Sequence, residues 1–143
     1  MKLANNFASL AILLTSATAQ LSASYIIMYD TSELNIMKVA CGGGSHGFEN
    51  RGFSTIGSLP GYPNVGGVPA ITGWNSPNCG TCWNVTHTDD EGIMRTISLL
   101  GIDASVNYTT TTAAMNNLTN GQADFLGRVD VTVVQVPSSV CGL

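Results

Sequence analysis

The stretch Gly73–Trp83 carries the densest chemistry of the chain, because it holds both tryptophans and two of the four cysteines. Its sequence is Gly-Trp-Asn-Ser-Pro-Asn-Cys-Gly-Thr-Cys-Trp, which places Cys79 and Cys82 three positions apart. Three kinds of site use such a spacing: a redox dithiol, half of a zinc site, or halves of two separate disulfides. The rest of the sequence is needed to choose among these three kinds of site.

The N-terminal segment indicates the compartment. Lys2 is followed by an apolar run, Phe7–Leu14, and then by the small residues of Ala17–Ala19. This is the layout of a secretory signal peptide that covers residues 1–19 and is cut after Ala19. A buried N-terminal helix is the alternative, and the run is too short to span a bilayer. We therefore expect a secreted chain, residues 20–143, without a membrane span.

In an oxidising compartment, an even number of cysteines in a small chain favours structural disulfides. A zinc site would need a second close cysteine pair, which Cys41 and Cys141 do not supply. A redox site would need a helix after Cys82, whereas Trp83–Thr86 has the pattern of a strand. We expect disulfides, no metal and no cofactor. Four cysteines allow three pairings, and their spacing does not choose among them.

Charge and composition exclude some partners. Removal of Lys2 with the signal peptide leaves four basic against nine acidic residues, a net charge of −5. A nucleic-acid-binding protein needs a basic face, so nucleic acid is not an expected partner. Asn84, Asn107 and Asn117 each begin an Asn-x-Thr sequence and are predicted glycosylation sites.

Strand patterns predominate in the elements that must position these residues. Alternating or β-branched segments bounded by turn residues predict five strands: Ser24–Tyr29, Met37–Cys41, Cys82–His87, Met94–Leu100 and Asp130–Gln135. One helix is predicted over Thr112–Leu118, ended by Gly121. Gly42–Gly44 is predicted to be a flexible turn, and residues 58–73 an ordered loop or a set of tight turns. Short strands with a brief helix favour a single small closed β-barrel.

Several segments together resemble the cerato-platanins, which are small secreted fungal proteins. The resemblance runs from about Ala23 to the C-terminus and is carried by VAC at 39–41, GSLPGYPNVGG at 57–67, ITGWNSPNCGTCW at 71–83, GID at 101–103, AMNNLTNGQA at 114–123, LGRVD at 126–130 and the terminal CGL. It implies a mainly β fold, a six-stranded double-psi β-barrel with one or two short helices. It also implies the disulfides Cys41–Cys79 and Cys82–Cys141.

The resemblance further implies a function. Members of the family are secreted or wall-associated, bind chitin (N-acetylglucosamine) oligosaccharides and loosen polysaccharide aggregates without cutting bonds. Plants perceive them as elicitors, which implies plant-cell receptors, and some self-assemble at interfaces. This chain departs from the family after Asp103, where Ala104–Thr109 replaces a segment that begins with histidine.

Asp103 is the best single candidate for a polysaccharide groove, and the resemblance to expansins points to the same position. A glycosidase needs two carboxylates on opposite sides of the scissile bond. The acidic segment Asp89–Glu91 is most simply a solvated hairpin tip, and Asp30 a turn cap. We therefore expect no enzyme, with weak glycosidase activity as the alternative.

Aromatic side chains complete the predicted carbohydrate site, because apolar sugar faces suit aromatic platforms flanked by polar groups. Tyr25 and Tyr29 are four residues apart on a predicted strand and should share one face. Trp74 lies next to Asn75 and is the other candidate platform, although it could equally fill the core beside a disulfide. His46, on a glycine-rich loop, is expected to be an ordinary surface residue.

These observations predict a secreted, non-catalytic protein that binds and loosens cell-wall polysaccharide and acts as an elicitor. The alternative is a structural protein that coats surfaces by self-assembly.

Overall fold

The computed structural model describes residues 20–143, so the predicted signal peptide lies outside the described residues. These residues form seven strands and two short α-helices: β1 (Ser22–Tyr25), β2 (Val65–Val68), β3 (Cys82–Thr88), β4 (Met94–Ala104), β5 (Tyr108–Thr110), α1 (Thr112–Thr119), α2 (Ala123–Leu126), β6 (Arg128–Asp130) and β7 (Thr132–Val136). Short 3₁₀ turns connect several of them. No helix of this part of the chain is both long enough and apolar enough to cross a bilayer.

The strands form two sheets. The larger has the order β2-β4-β3-β7, with an antiparallel β3–β4 hairpin at its centre and β2 parallel to β4. The smaller has the order β5-β1-β6, with β1 parallel to β5 and antiparallel to β6. The prediction of a mainly β fold is confirmed. The prediction of six strands in one closed barrel is corrected, because no ladder joins the two sheets among residues 20–143.

Close packing of β2 against β5 is the physical reason for the separate sheets. The Thr109 hydroxyl accepts a hydrogen bond from the Gly67 N–H (3.1 Å), and the Thr110 hydroxyl donates to the Val65 carbonyl (3.0 Å). Side-chain hydroxyl groups thus replace a backbone ladder at this junction. A Cβ atom at Gly66 would lie 1.7 Å from the Thr109 carbonyl oxygen, so only glycine permits this approach.

The core lies between the larger sheet and α1. The second half of β4 is buried on both faces, as shown by Leu99, Leu100 and Ile102. Helix α1 adds Met115 and Leu118 to the same core. The predicted helix over Thr112–Leu118 is confirmed: its N-terminus is capped by the Thr111 hydroxyl, and its C-cap, Asn120, is left-handed.

Two predicted strands are corrected. Strand β1 ends at Tyr25, and a 3₁₀ turn over Ile27–Asp30 follows it, so Tyr25 and Tyr29 do not share a strand face. Met37–Cys41 is not a strand. The Asn35 carboxamide accepts a hydrogen bond from the Met37 N–H and begins a 3₁₀ turn there. At Met37–Cys41, this local capping outweighs the β propensity of a short segment.

The other three predicted strands agree better with the structure, whereas the predicted loop over residues 58–73 contains strand β2. Strands Cys82–His87 and Met94–Leu100 are present and extend to Thr88 and Ala104. Asp130–Gln135 is interrupted at Val131, whose N–H donates to the Leu21 carbonyl between β6 and β7.

Both disulfides that the family resemblance implied are present. Cys41–Cys79 joins the loop before β2 to the loop before β3, and Cys82–Cys141 joins β3 to the C-terminal turn. Gly42 is buried, and a Cβ atom there would lie 2.3 Å from the Ile36 carbonyl oxygen. The predicted flexible turn at Gly42–Gly44 is therefore a tightly packed segment.

Candidate functional site

Asp103 lies near the end of β4, and its carboxylate accepts hydrogen bonds from three donors. Oδ1 accepts from the backbone N–H groups of Ala40 and Ala104, both at 2.9 Å. Oδ2 accepts from the Tyr29 hydroxyl at 2.9 Å. The side chain is half-buried. Asp103 therefore fastens the turn after β1 and the loop around Ala40 to the central sheet.

Ala40 connects Asp103 to the tryptophan segment. Its N–H donates to Asp103, and its carbonyl accepts from the Asn75 N–H at 3.1 Å. The neighbouring Cys41 donates its N–H to the Ile102 carbonyl (3.0 Å) and forms the disulfide with Cys79. The loop that carries Ala40 is thus held on both sides, by β4 and by the segment from Trp74 to Cys79.

Trp74 presents its indole ring to solvent. It is 66% exposed, and Met37 beside it is 48% exposed. Gly43 lies between them: a Cβ atom there would be 2.8 Å from Met37 Cε and 3.7 Å from Trp74 Cζ2. A large, exposed aromatic ring on a loop fixed by a disulfide and several backbone hydrogen bonds is a preformed stacking surface. Trp74 does not fill the core.

Asn75 positions this surface and is itself constrained. Its backbone is left-handed (φ 55°), a conformation that asparagine tolerates better than most residues. Its Oδ1 accepts the His46 N–H at 2.8 Å, and its carbonyl lies 3.2 Å from His46 Nδ1. His46 could not be grouped with Trp74 and Asn75 from the sequence, because nothing in the spacing links residues 29 positions apart.

An open depression of about 560 Å³ borders the same region. Its lining residues are mostly apolar or small: Pro69, Ile71, Thr72, Ala104, Ser105 and Val106. Among its lining residues, Ala104 directly follows Asp103 in sequence, and Thr72 lies two positions before Trp74. The segment in which this chain departs from the family resemblance therefore forms one wall of the depression.

The two predicted tyrosines do not join this surface. Tyr29 is only 2% exposed, so its ring is part of the core and offers no face to a sugar. Burial, and after it the charge of Asp103, raises the pKa of the Tyr29 hydroxyl far above its usual value. Tyr25 is elsewhere: its hydroxyl donates to Asp124 on α2 at 3.0 Å, a bond that also raises the pKa of Tyr25.

The acidic segment at residues 89–91 forms the tip of the β3–β4 hairpin, as predicted. Asp89 accepts hydrogen bonds from Arg95 (2.8 Å) and from the backbone N–H groups of Ile93 and Glu91. The bond from Arg95, and next the bond from Ile93, hold the pKa of Asp89 below its usual range. This carboxylate stabilises a turn.

The three predicted glycosylation sites differ in exposure. Asn117 is exposed on α1, whereas Asn84 and Asn107 are half-buried. The Asn84 side chain accepts a hydrogen bond from the Ser98 hydroxyl at 2.8 Å. Glycosylation itself stays a prediction.

Asp103, Asn75 and Trp74 are therefore brought together around Ala40, with His46 as a further member. The group offers an exposed aromatic face, polar atoms at its edge and an apolar depression beside it. Such a combination suits a ligand that has both apolar faces and hydroxyl groups.

Comparison with known proteins assigns the chain to a family. The sequence model of the cerato-platanin family matches residues 21–143. The chain is 42% identical over 133 residues to a heat-stable 19 kDa antigen of Coccidioides posadasii, covering 90% of this chain and 88% of the relative. It superposes on the crystal structure of cerato-platanin 2 from M. perniciosa with a TM-score of 0.81 at 40% identity, covering 87% of this chain and 100% of that one. It superposes on the solution structure of the fungal elicitor cerato-platanin with a TM-score of 0.73 at 40% identity, covering 85% and 96%. The chain belongs to the cerato-platanin family.

Proposed function

We propose that this protein is a secreted, non-catalytic binder of cell-wall polysaccharide whose ligands are chitin (N-acetylglucosamine) oligosaccharides. The observation that carries the proposal is the 66% exposed Trp74 on a loop that Asp103 and the Cys41–Cys79 disulfide hold in place. A rigid platform loses little conformational freedom when it binds, which favours stacking on a sugar ring.

The polar groups around Trp74 suit the edges of a sugar ring. A carboxylate has about four acceptor positions, and Asp103 uses three of them within the protein. The remaining position is available to a sugar hydroxyl at this half-buried site. His46, whose side chain is exposed, supplies a further polar group next to Asn75.

Binding without bond cleavage fits the arrangement of Asp103. A glycosidase needs two carboxylates about 5–10 Å apart on opposite sides of the bond, one of which protonates the leaving group. Both oxygens of Asp103 already accept hydrogen bonds from protein donors, and these bonds fix the loop. We therefore propose loosening of polysaccharide aggregates through binding alone.

The family supports an extracellular role. One relative of known structure is described as a fungal elicitor. We extend this role to the present chain and propose that it is secreted or wall-associated and that plant-cell receptors perceive it. The two disulfides fit an oxidising compartment.

Surface coating by self-assembly is the second candidate. It is favoured by several large apolar side chains that are mostly exposed, among them Ile27 (73%), Val106 (91%) and Phe125 (88%). Such side chains would lower the surface tension at an air–water interface.

A pull-down on chitin beads combined with a reducing-sugar assay tests the first proposal. We expect the protein to be retained on the beads and no reducing ends to accumulate. Retention together with reducing ends that increase with time would identify a glycosidase. Recovery of all the protein in the unbound fraction would contradict polysaccharide binding.

A further inference from the structure

The connection between β4 and β5 forms one wall of the depression beside Trp74 and Asp103. Strand β4 ends at Ala104 and β5 begins at Tyr108, so this connection is short. Val106 in its middle is 91% exposed, more than any other large apolar side chain among residues 20–143. Its side chain lines the depression and contributes little to the core, so its apolar surface is available to a ligand.

The other wall is the turn that follows β2. Val68 and Ala104 are register partners at the end of the parallel β2–β4 pair, so the segments that leave these two strands start side by side. The Ile71 N–H donates to the Val68 carbonyl at 3.1 Å and closes the turn. A Cβ atom at Gly67 would lie 2.7 Å from the Ser105 Cβ atom, so Ser105 packs directly against β2. Both walls are fixed to the sheet, and the depression exists before a ligand binds.

Two hydroxyl groups in the depression have no partner within the protein. The side chains of Thr72 and Ser105 line it, and neither forms a hydrogen bond with any of residues 20–143. Within the same part of the chain, Asn64 Oδ1 is the one buried side-chain oxygen or nitrogen without a partner. The hydroxyl groups of Thr72 and Ser105 are therefore open to solvent and can bond to a ligand.

The depression is continuous with the surface of Trp74 and Asp103. The Ala104 N–H donates to Asp103 Oδ1 at 2.9 Å, so one wall begins at this carboxylate. On the other side only Gly73 separates Thr72 from Trp74, and a Cβ atom at Gly73 would meet no atom within 4 Å. A ligand that stacks on Trp74 can thus extend into the depression without crossing a side chain at Gly73.

An acetamido group matches the chemistry of these walls. Its methyl group is stabilised by contact with apolar side chains, and its amide N–H and C=O need hydrogen-bonding partners. Pro69, Ile71 and Val106 offer the apolar contacts. A hydroxyl group both donates and accepts, so Thr72 and Ser105 can serve either end of the amide. Every ring of an N-acetylglucosamine polymer carries such a group, whereas a glucose polymer has a hydroxyl group in its place.

We propose that Val106 is a specificity-determining residue, and that the depression it lines receives the acetamido group of a sugar stacked on Trp74. This inference rests on the polysaccharide binding proposed above and adds the chemical group that the protein selects. Val106 lies in the segment in which this chain departs from its family resemblance. The preference for acetylated sugar is therefore determined by residues particular to this chain.

Charge alone would give the opposite preference. The net charge of −5, from four basic and nine acidic residues after Lys2 is removed, attracts the ammonium groups of a glucosamine oligomer. Residues 69–72 and 104–107 include no charged side chain, so an ammonium group in the depression would lose water without gaining a carboxylate partner. Selection through the acetamido group therefore predicts tighter binding of the uncharged, acetylated oligomer.

Calorimetric titration with three tetramers tests the proposal: N-acetylglucosamine, glucosamine at mildly acidic pH, and glucose in β-1,4 linkage. The wild type should bind the acetylated tetramer at least about tenfold more tightly than either other tetramer, from one buried methyl group and one hydrogen bond. Val106→Ser should weaken binding of the acetylated tetramer about fourfold, the equivalent of the ~0.8 kcal/mol of one buried methyl group. The weaker binding of the glucose tetramer should stay unchanged.

Val134→Ser is the matched control, because it makes the same change at an exposed valine on β7 (63% exposed), outside the depression. It should leave all affinities unchanged. Both variants should keep the thermal stability of the wild type, since substitutions of exposed side chains cost little. Trp74→Ala should weaken all three tetramers by a similar factor, because all present the same ring faces.

The outcomes separate this inference from the proposed function. Equal affinity of the wild type for the three tetramers would overturn the acetamido site and leave polysaccharide binding intact. An unchanged preference for the acetylated tetramer in Val106→Ser would overturn the role of Val106. Absence of binding to all three tetramers would contradict polysaccharide binding and this inference with it.

Discussion

Removal of the Asp103 carboxylate is the perturbation whose consequences follow most directly from the structure. Asp103→Ala deletes three hydrogen bonds and removes the acceptor of the Ala40 N–H, the Ala104 N–H and the Tyr29 O–H. Tyr29 is 2% exposed, so water cannot easily replace the lost acceptor. Hydrogen bonds to charged groups contribute about 1.5–3 kcal/mol each when buried, and less when half-exposed.

The three bonds share one acceptor group, so their contributions do not simply add. We expect Asp103→Ala to lower the free energy of unfolding by about 3 kcal/mol. Asp103→Asn keeps Oδ1 for the two backbone donors and should cost only about 1 kcal/mol. Tyr29→Phe removes the hydroxyl alone and should also cost about 1 kcal/mol.

Urea denaturation with the disulfides intact, monitored by circular dichroism, measures these differences in the free energy of unfolding. The dependence of that free energy on urea concentration (the m-value) should be the same in all variants. In a double-mutant cycle, Asp103→Ala should cost less in the Tyr29→Phe background, because the hydroxyl is no longer left unpaired. A stability of Asp103→Ala within about 0.5 kcal/mol of the wild type would show that these hydrogen bonds do not hold the loop. Loss of chitin binding at unchanged stability would assign Asp103 directly to sugar contact.

Three further outcomes follow from the fold. Replacing Cys82 and Cys141 together by alanine should lower the free energy of unfolding by about 2–4 kcal/mol, measured by denaturation, because the bridge spans 59 residues of the unfolded chain. The pKa of Tyr29 is raised in the folded state, so the stabilisation from its protonated hydroxyl is complete below about pH 10. Above that pH, the free energy of unfolding should fall by about 1.4 kcal/mol per pH unit. Denaturation at several alkaline pH values should show a smaller fall in Tyr29→Phe than in the wild type. Gly66→Ala should prevent normal folding, seen as loss of soluble secreted protein, because its Cβ atom would lie 1.7 Å from the Thr109 carbonyl oxygen.

Long, regular elements could be predicted from the sequence. The β3–β4 hairpin was recognisable because its β-branched strands flank the acidic turn at residues 89–91, and structure and prediction agree there. Helix α1 was recognisable from the glycine that follows it, Gly121. Such signals depend on neighbouring residues only, so a sequence reveals them directly.

Features that depend on distant contacts could not be predicted in this way. Ser24–Tyr29 has the composition of a strand, yet its last residues form a turn because the Tyr29 hydroxyl bonds to Asp103, 74 positions away. The same contact removed Tyr29 from the candidate site. His46 joined the site only through Asn75, 29 positions away.

Titration of chitin oligosaccharides into the wild type and Trp74→Ala tests whether the exposed Trp74 ring binds the sugar. Isothermal titration calorimetry with an N-acetylglucosamine oligomer should show binding by the wild type. The control variant Phe125→Ala, which removes another exposed aromatic side chain (88% exposed), should bind equally well. Trp74→Ala should weaken binding by at least about tenfold without changing thermal stability, because Trp74 contributes a stacking face and little packing. Equal affinity of Trp74→Ala and the wild type would show that Trp74 is not the sugar-binding platform.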